Sequence, residues 1–272
     1  MPITTRQIQN YYEQNTRLFL RFGSSQQVQS IHRALWLNAQ NLEDALNTSN
    51  QMVLEVARQI DAQKIADLGC GVGATLFNLL SHFPPTVSGV GLTISMTQAD
   101  WARRAARTLS IQNAQIIQGD FQFLPLSAGF DLIYSIEAFV HAVEPERYLR
   151  EAARILRPGG KLLILDDFRG KNPTSTWLDL YQRGWHAPNL RPTAQIIELA
   201  AQNSLQLAQN RDLTPYLKLR ALPDPLAHSL SAVFSPLWQL HPIIPSMLGS
   251  MALQQCLRSG TVEYRWLEFE KV

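Results

Sequence analysis

The chain has 272 residues, with 24 lysines and arginines against 22 aspartates and glutamates, for a formal net charge of +2. A balance this even, with no basic run, leaves no electrostatic footprint for nucleic acid. Two cysteines, Cys70 and Cys256, make neither a disulfide framework nor a metal-ligand spacing, so reduced thiols and no metal are expected.

The 46% hydrophobic content suits a single α/β domain with a sizeable insertion, or two small domains. The opening "MPITTRQIQNYYEQ" lacks an apolar signal core, and no run is long enough to span a bilayer, which predicts a cytoplasmic protein without a transmembrane segment. Residues 1–60 read as helical: "IQNYYEQNTRLFLRFG" ending at Gly23, a second piece around "SIHRALWLNAQ", and a third, "NTSNQMVLEVARQI". From 64 to 168, short apolar runs alternate with helical ones. The runs are "KIADLG", "VSGVGLT", "AQIIQGD", "FDLIYSI" and "KLLILDDF". The helices between them are "TLFNLLSHF", "SMTQADWARRAARTL" and "VEPERYLREAARIL". This alternation predicts an α/β doubly wound, mostly parallel sheet. A helix "TAQIIELAAQNSL", a strand near "QLAQNRDLT" and a last strand "TVEYRWLEFEKV" complete the pattern.

Between the last two strands, from Ala221 to Leu257, only Asp224 is formally charged, and five prolines interrupt any long helix. Such a stretch is a buried core layer, a cap over a pocket, or a surface that rests on a partner. Its place between the last two strands favours the cap, since the sheet does not need it.

The segment "KIADLGCGVGATLFNLL" sets Gly69, Gly71 and Gly73 between a strand and a helix. Without a Cβ these positions accept positive φ and let a ligand lie on the backbone. A dinucleotide fingerprint through Gly69, Gly71 and Ala74 also fits, so the glycines alone leave an oxidoreductase open. Three features point elsewhere. Asp67 precedes the turn, where a carboxylate suits a ligand ammonium better than a pyrophosphate. The second strand ends in "GVGLTISMTQ", without the acid that takes an NAD ribose, and a helical arm precedes the whole unit.

"ADLGCGVG", "GVGLTISMTQ", "GDFQFLPL", "FDLIYSIEAFVH" and "ILRPGGKLLILDDF" together resemble the ordered motifs of class I S-adenosylmethionine-dependent methyltransferases. "GLTISMTQ" resembles the branch that holds cyclopropane fatty acid synthases and the sarcosine-dimethylglycine, tocopherol and terpenoid C-methyltransferases. The likeness covers residues 60–168 most strongly. It implies a Rossmann-like, seven-stranded core over 61–215 with 259–272, a 1–60 arm covering the cofactor site, and an apolar helical cap over 216–258. S-adenosylmethionine is the implied cofactor.

Carried over position by position, the resemblance puts Asp67, Gly69, Cys70, Gly71 and Gly73 along the methionine part. Thr93, Ile94, Ser95 and Gln98 fall to the ribose, with Ser95 as a plain helix N-cap the competing reading. Gly119, Asp120 and Phe121 fall to the adenine, Phe121 as core being equally open, and Ser135 and Ile136 lie beside them. Tyr11 and Tyr12 on the arm are candidates for the cofactor carboxylate.

For chemistry, Glu137 and His141 stand at i, i+4 spacing after the fourth strand. One helical turn there would put both on one face, with His141 as general base near its ordinary pKa of about 6.5. Glu137 would orient it or face a developing cation. The alternative is a pocket that only aligns its ligands. Tyr12, His32, Trp36, Phe139, Trp185 and His186 are the acceptor contacts expected. These aromatic walls imply a small lipophilic acceptor, terpenoid, prenylated or aromatic. Arg183 and Arg191 keep a small amine such as a glycine derivative open. A cofactor-binding module without turnover and a homo-oligomer also stay open.

Overall fold

The computed structural model describes residues 3–23, 32–172, 176–238, 240–241 and 243–272. Five strands run parallel to one another. They are β1 (Lys64–Leu68), β2 (Ser88–Thr93), β3 (Ala114–Gln118), β4 (Phe130–Ile136) and β5 (Leu156–Arg169). The remaining two are β6 (Leu205–Asp212) and β7 (Val262–Lys271), and the seven-stranded order is β3-β2-β1-β4-β5-β7-β6. Strands β1, β2 and β4 are buried along most of their length, as strands covered on both faces are. Only the pairings of β7, with β5 and with β6, are antiparallel. The expected doubly wound, mostly parallel sheet is what the chain forms. The order reverses between β1 and β4, and in such sheets the crevice beyond the strand C-termini at that point receives the ligand.

Helices cover both faces. α2 (Leu42–Gln59), α3 (Ala74–Leu80), α4 (Met96–Thr108), α6 (Thr176–Trp185) and α9 (Ile243–Ser259) pack around Ile65, Leu132, Tyr134 and Leu163. On the other face, α5 (Pro145–Ile155) and α7 (Thr193–Ala201) bury Tyr148, Leu149, Ile196 and Ala200 against Ile133, Ile164 and Phe269. The N-termini are capped as their sequences allow: the Asn41 side chain accepts from Asp44 N–H at 2.9 Å, and Ser95 Oγ from Gln98 N–H at 3.2 Å.

The arm departs from expectation in its middle piece. α1 (Thr5–Gly23) and α2 are helices, but residues 32–41 are not. Leu35 bridges Leu217, and the Trp36 N–H donates to the Tyr216 carbonyl at 2.8 Å, so this backbone is satisfied by the start of the insertion instead of by its own turn. The rest of that expected helix, residues 30–31, lies outside the described residues.

The insertion divides between buried and exposed parts. α9 buries Leu248, Ala252, Leu253, Cys256 and Leu257 in the core, while α8 (Asp224–Phe234) leaves Leu226 and Val233 exposed. α9 crosses α6 at a glycine contact. A Cβ on Gly184 would fall 2.5 Å from the Pro245 carbonyl oxygen and 2.7 Å from Gly249 Cα. Overpacking of this kind costs about 1–3 kcal/mol. Gly184→Val is expected to lower the unfolding free energy by that amount, read from the urea midpoint at unchanged slope. An unaltered midpoint would mean that the two helices do not cross this closely.

Candidate active site

At the C-terminal ends of β1 and β4 lies a cavity of about 380 Å³. Its lower wall is the glycine turn, whose backbone is left-handed at Gly69, Gly71 and Gly73, with φ of 105°, 53° and 84°. The three glycines answer to different constraints. A Cβ on Gly69 would lie 2.3 Å from the Ala138 Cβ, and one on Gly73 would lie 2.6 Å from the Phe77 ring. A Cβ on Gly71 would meet no described protein atom within 4 Å and would enter the cavity instead. Two glycines therefore serve packing, and one keeps space for a ligand.

Beside the turn, the first turn of α4 and the end of β2 form a second wall. Thr93 Oγ1 donates to Gln98 Oε1 at 2.6 Å, which fixes the amide with its Nε2 making no protein hydrogen bond at the cavity edge. Ile94, Asp120 and Phe121 border the same space. The Asp120 carboxylate is oriented by Gln122, whose N–H donates at 2.9 Å, and Phe121 rests edge-on against Tyr148. Ser95 is fully buried as the α4 N-cap, the plainer of its two readings.

Not every expected cofactor residue reaches the cavity. Asp67 is buried behind the turn, in register with Gly91 and Tyr134, and burial pushes its carboxyl up to about 7. Ser135 Oγ donates to the Leu68 carbonyl, and Gly119 N–H to the Thr93 carbonyl, so both act inside the scaffold. Cys70 and Ile136 do border the space.

α1 closes the top through Thr5, Ile8, Tyr11 and Tyr12, with Trp185 and Ser250 completing the rim. Two neighbouring residues dock it. The Glu13 carboxylate accepts from Met96 N–H at 2.6 Å and from the Thr97 N–H and hydroxyl, capping α4 from outside. Burial would raise this carboxyl, but the Thr97 and Met96 hydrogen bonds bring it below its ordinary value. Tyr12 Oη lies 2.7 Å from His141 Nε2.

The expected pairing of Glu137 with His141 on one helical face does not form. Glu137 is left-handed at φ 51°, and a short 3-10 turn, Phe139–His141, follows it. Each group has its own partners. His141 Nδ1 lies 2.9 Å from the His186 carbonyl, which can only accept, so Nδ1 carries the proton and Nε2 presents its lone pair to the Tyr12 hydroxyl. Burial lowers the His141 pKa to about 4, so the neutral ring, not one poised near 6.5, is the resting form. Glu137 Oε1 accepts from Arg33 N–H at 2.9 Å, Arg33 Nε at 3.1 Å and Tyr264 Oη at 2.8 Å. Burial alone would raise this carboxyl, yet Arg33 above all holds it below its usual value.

Among the expected acceptor contacts, Tyr12, His32 and Trp185 border the cavity. His32 Nε2 is held 2.8 Å from Thr75 Oγ1, near the glycine turn. Trp36 stacks under Lys218 away from the cavity, and Phe139 is core, packed on Tyr148 and Phe168. His186 contributes its carbonyl, while its ring faces Tyr11 at 5.0 Å between centroids. Glu13, Arg33, Asp167, Tyr181 and Tyr264 were not singled out from sequence. Their partners lie 83 or more positions away, except for Tyr181, which meets Asp167 at 14 positions from α6 to β5, and no periodicity carries such contacts.

A methyltransferase-domain family matches residues 66–164. A methyltransferase from Streptomyces halstedii, GfsG, is 28% identical over 167 residues, 60% of this chain and 58% of that protein. A 24-methylenesterol C-methyltransferase of Arabidopsis thaliana is 28% identical over 193 residues, 68% of this chain and 53% of that one. The chain thus spans little more than half the length of these relatives. Residues 66–164 carry a methyltransferase domain whose motifs are those of the class I S-adenosylmethionine-dependent enzymes. That sets the dinucleotide reading aside. The fold of this methyltransferase is shared, at a TM-score of 0.73 and 17% identity, with geranyl diphosphate C-methyltransferase from Streptomyces coelicolor, covering 100% of both chains. That protein was solved with S-adenosyl-L-homocysteine, geranyl diphosphate and Mg2+. Among the described residues of this chain, no group of His, Cys, Asp and Glu could hold a metal ion, and no helix is long and apolar enough to cross a membrane.

S-adenosylmethionine is the cofactor such a domain takes, and the open space at Gly71 together with the Gln98 Nε2, which has no bond among the described residues, fits it. Gly71→Val is expected to abolish detectable binding of S-adenosylmethionine and S-adenosylhomocysteine by calorimetry in a protein that still folds. Strain at the left-handed position adds about 1–3 kcal/mol. Unchanged affinity would remove the turn from the cofactor site.

Proposed function

We propose that this methyltransferase acts on a small lipophilic acceptor, a terpenoid, prenylated or aromatic molecule, bound between α1, Trp185 and His141. The observation that carries this reading is the wall itself. Ile8, Tyr11, Tyr12 and Trp185 provide apolar and aromatic surface, and no lysine or arginine borders the cavity among the described residues. A phosphate or carboxylate on the acceptor would find no cation there. The glycine-derivative alternative relied on Arg183 and Arg191. Arg183 pairs with Asp179 at 2.9 Å and Arg191 with Glu146 at 2.5 Å, both away from the walls, so that alternative loses its support. The sterol and geranyl diphosphate enzymes named above act in the same direction as this reading, though the latter's substrate carries a diphosphate.

The cofactor, when bound, supplies an electrophilic methyl on a sulfonium, so the protein's part is alignment and removal of a proton. Tyr12 Oη donates to His141 Nε2 and keeps its lone pairs for the cavity. An acceptor X–H gives its proton to Tyr12 Oη as Tyr12 passes its own to His141 Nε2. His141 keeps Nδ1–H on the His186 carbonyl throughout, and the resulting imidazolium is discharged to solvent when the arm opens. Tyr12 is thus the group that meets the acceptor, and His141 takes the proton behind it.

Tyr12→Phe is expected to lower kcat by roughly 10²–10³-fold, within the range of a lost acid-base group, with cofactor affinity unchanged. The acid limb of wild-type kcat should lie near pH 4 and not near 6.5, because turnover is lost as pH falls and His141 becomes protonated. Labelled S-adenosylmethionine incubated with prenyl, aromatic and glycine-type acceptors, followed by mass spectrometry, tests the substrate class. Methylation of glycine derivatives with no turnover of any lipophilic compound would overturn it.

A further inference from the structure

Behind the cavity wall, two carboxyl groups share one guanidinium, and a third lies beside them. Glu137 borders the same cavity as Gly69 and Gly71 of the glycine turn. Arg33 donates to Glu137 through its backbone N–H and Nε, and through Nη1 to Asp167 Oδ1 at 2.7 Å. Tyr264 and Tyr181 close the two ends, the latter donating to Asp167 Oδ2 at 2.6 Å. Asp166, the next residue on β5, accepts from the backbone N–H groups of Val140 and Asp167. Among the described residues, Arg33 is the one cation bonded to any of the three.

A self-contained buried ion pair needs one carboxylate per guanidinium, and any surplus charge in low dielectric is costly. Glu137 alone would neutralise Arg33. Asp167, whose side chain is 1% exposed, therefore adds a negative charge that the fold does not require. An amide or apolar side chain there would leave the Arg33–Glu137 contact in place at lower desolvation cost. The surplus sits behind Arg33, and the network opens on the cavity at its other end, where Glu137 holds a left-handed backbone unusual for a residue with a side chain.

We propose that Asp167 is a positioning residue for ligand charge: by engaging Arg33 from behind, it leaves the Glu137 wall net negative, so that the site favours a ligand with a positive centre over its neutral counterpart. This rests on the methyltransferase reading and deepens it. The sulfonium of S-adenosylmethionine is favoured relative to the neutral thioether of S-adenosylhomocysteine. On the acceptor side the same charge favours a nucleophile that binds neutral or cationic, an amine, a neutral hydroxyl or an alkene carbon. It disfavours a preformed phenolate, thiolate or carboxylate.

Calorimetric affinities for S-adenosylmethionine and S-adenosylhomocysteine test this on the full chain. In Asp167→Asn the ratio Kd(S-adenosylmethionine)/Kd(S-adenosylhomocysteine) should rise about tenfold over wild type, the order expected for one unit charge across a partly screened protein interior. Asp167→Glu, which keeps the charge, should hold the ratio at the wild-type value. Asp179→Asn, an exposed carboxylate on α6, should leave it unchanged. A purely structural role would weaken both ligands equally and would overturn the proposal, as would an unmoved ratio in Asp167→Asn. If Asp167→Asn does not fold, Asp167→Ser, which removes the same charge, is measured in its place. Failure of the wild type to bind either ligand would overturn the methyltransferase reading itself.

Discussion

The double engagement of Arg33 by Glu137 and Asp167 is the interaction on which the rest of the site depends. Buried carboxylates at the ends of β4 and β5 cannot stay ionised alone, because desolvation would drive their protonation. The chain meets that constraint by bringing residue 33 across the top of the sheet. Once Arg33 is seated there, its neighbours are placed as well. Leu35 pairs with Leu217 at the start of the insertion, and His32 is carried to Thr75 beside the glycine turn. One ion-pair network thus ties the arm, the sheet and the insertion at a single point.

The first helix is attached differently. Tyr12 and Glu13 are consecutive, so their side chains diverge by about 100° around the helix, and each finds one wall of the cavity. Glu13 caps α4, whose first turn carries Gln98, while Tyr12 reaches His141. A single rigid helix therefore sets the separation of the two walls. Its contacts are hydrogen bonds at the rim, with Tyr11 and Ile8 as the buried anchors. Both walls therefore close under the one helix and line one shared space.

Much of the fold was legible because its signals are local. The apolar runs of β1, β2, β4 and β5 alternate with amphipathic helices, and the glycine turn requires left-handed backbone at three positions. Ser95 and Asn41 mark helix starts by their chemistry alone. What could not be read is what depends on distant partners. "SIHRALWLNAQ" has helix-compatible composition, yet its backbone bonds go to residues near 216, a partner that no window around it contains. Glu137 and His141 keep helical spacing, but the β4 end forces Glu137 into a left-handed conformation and turns the two apart. Trp36 and Phe139 are aromatic and near the motifs, and composition gives no means of telling a wall from a core.

Desolvation also explains why similar groups in one place hold different charges. The same burial that lowers His141 to about 4 raises Asp166 to about 8, since each is pushed toward its neutral form. Glu137 escapes only because Arg33 and Tyr264 supply hydrogen bonds and opposite charge at contact distance. The result is a neutral proton acceptor on one side of the cavity and a fixed anion on the other, a few residues apart in sequence. A base and a counter-charge so close would pair and quench each other if they shared a hydrogen bond. The left-handed turn at Glu137 prevents that, and it hands His141 to Tyr12 and the His186 carbonyl. The separation is therefore a backbone property: the left-handed residue keeps the imidazole and the carboxylate apart.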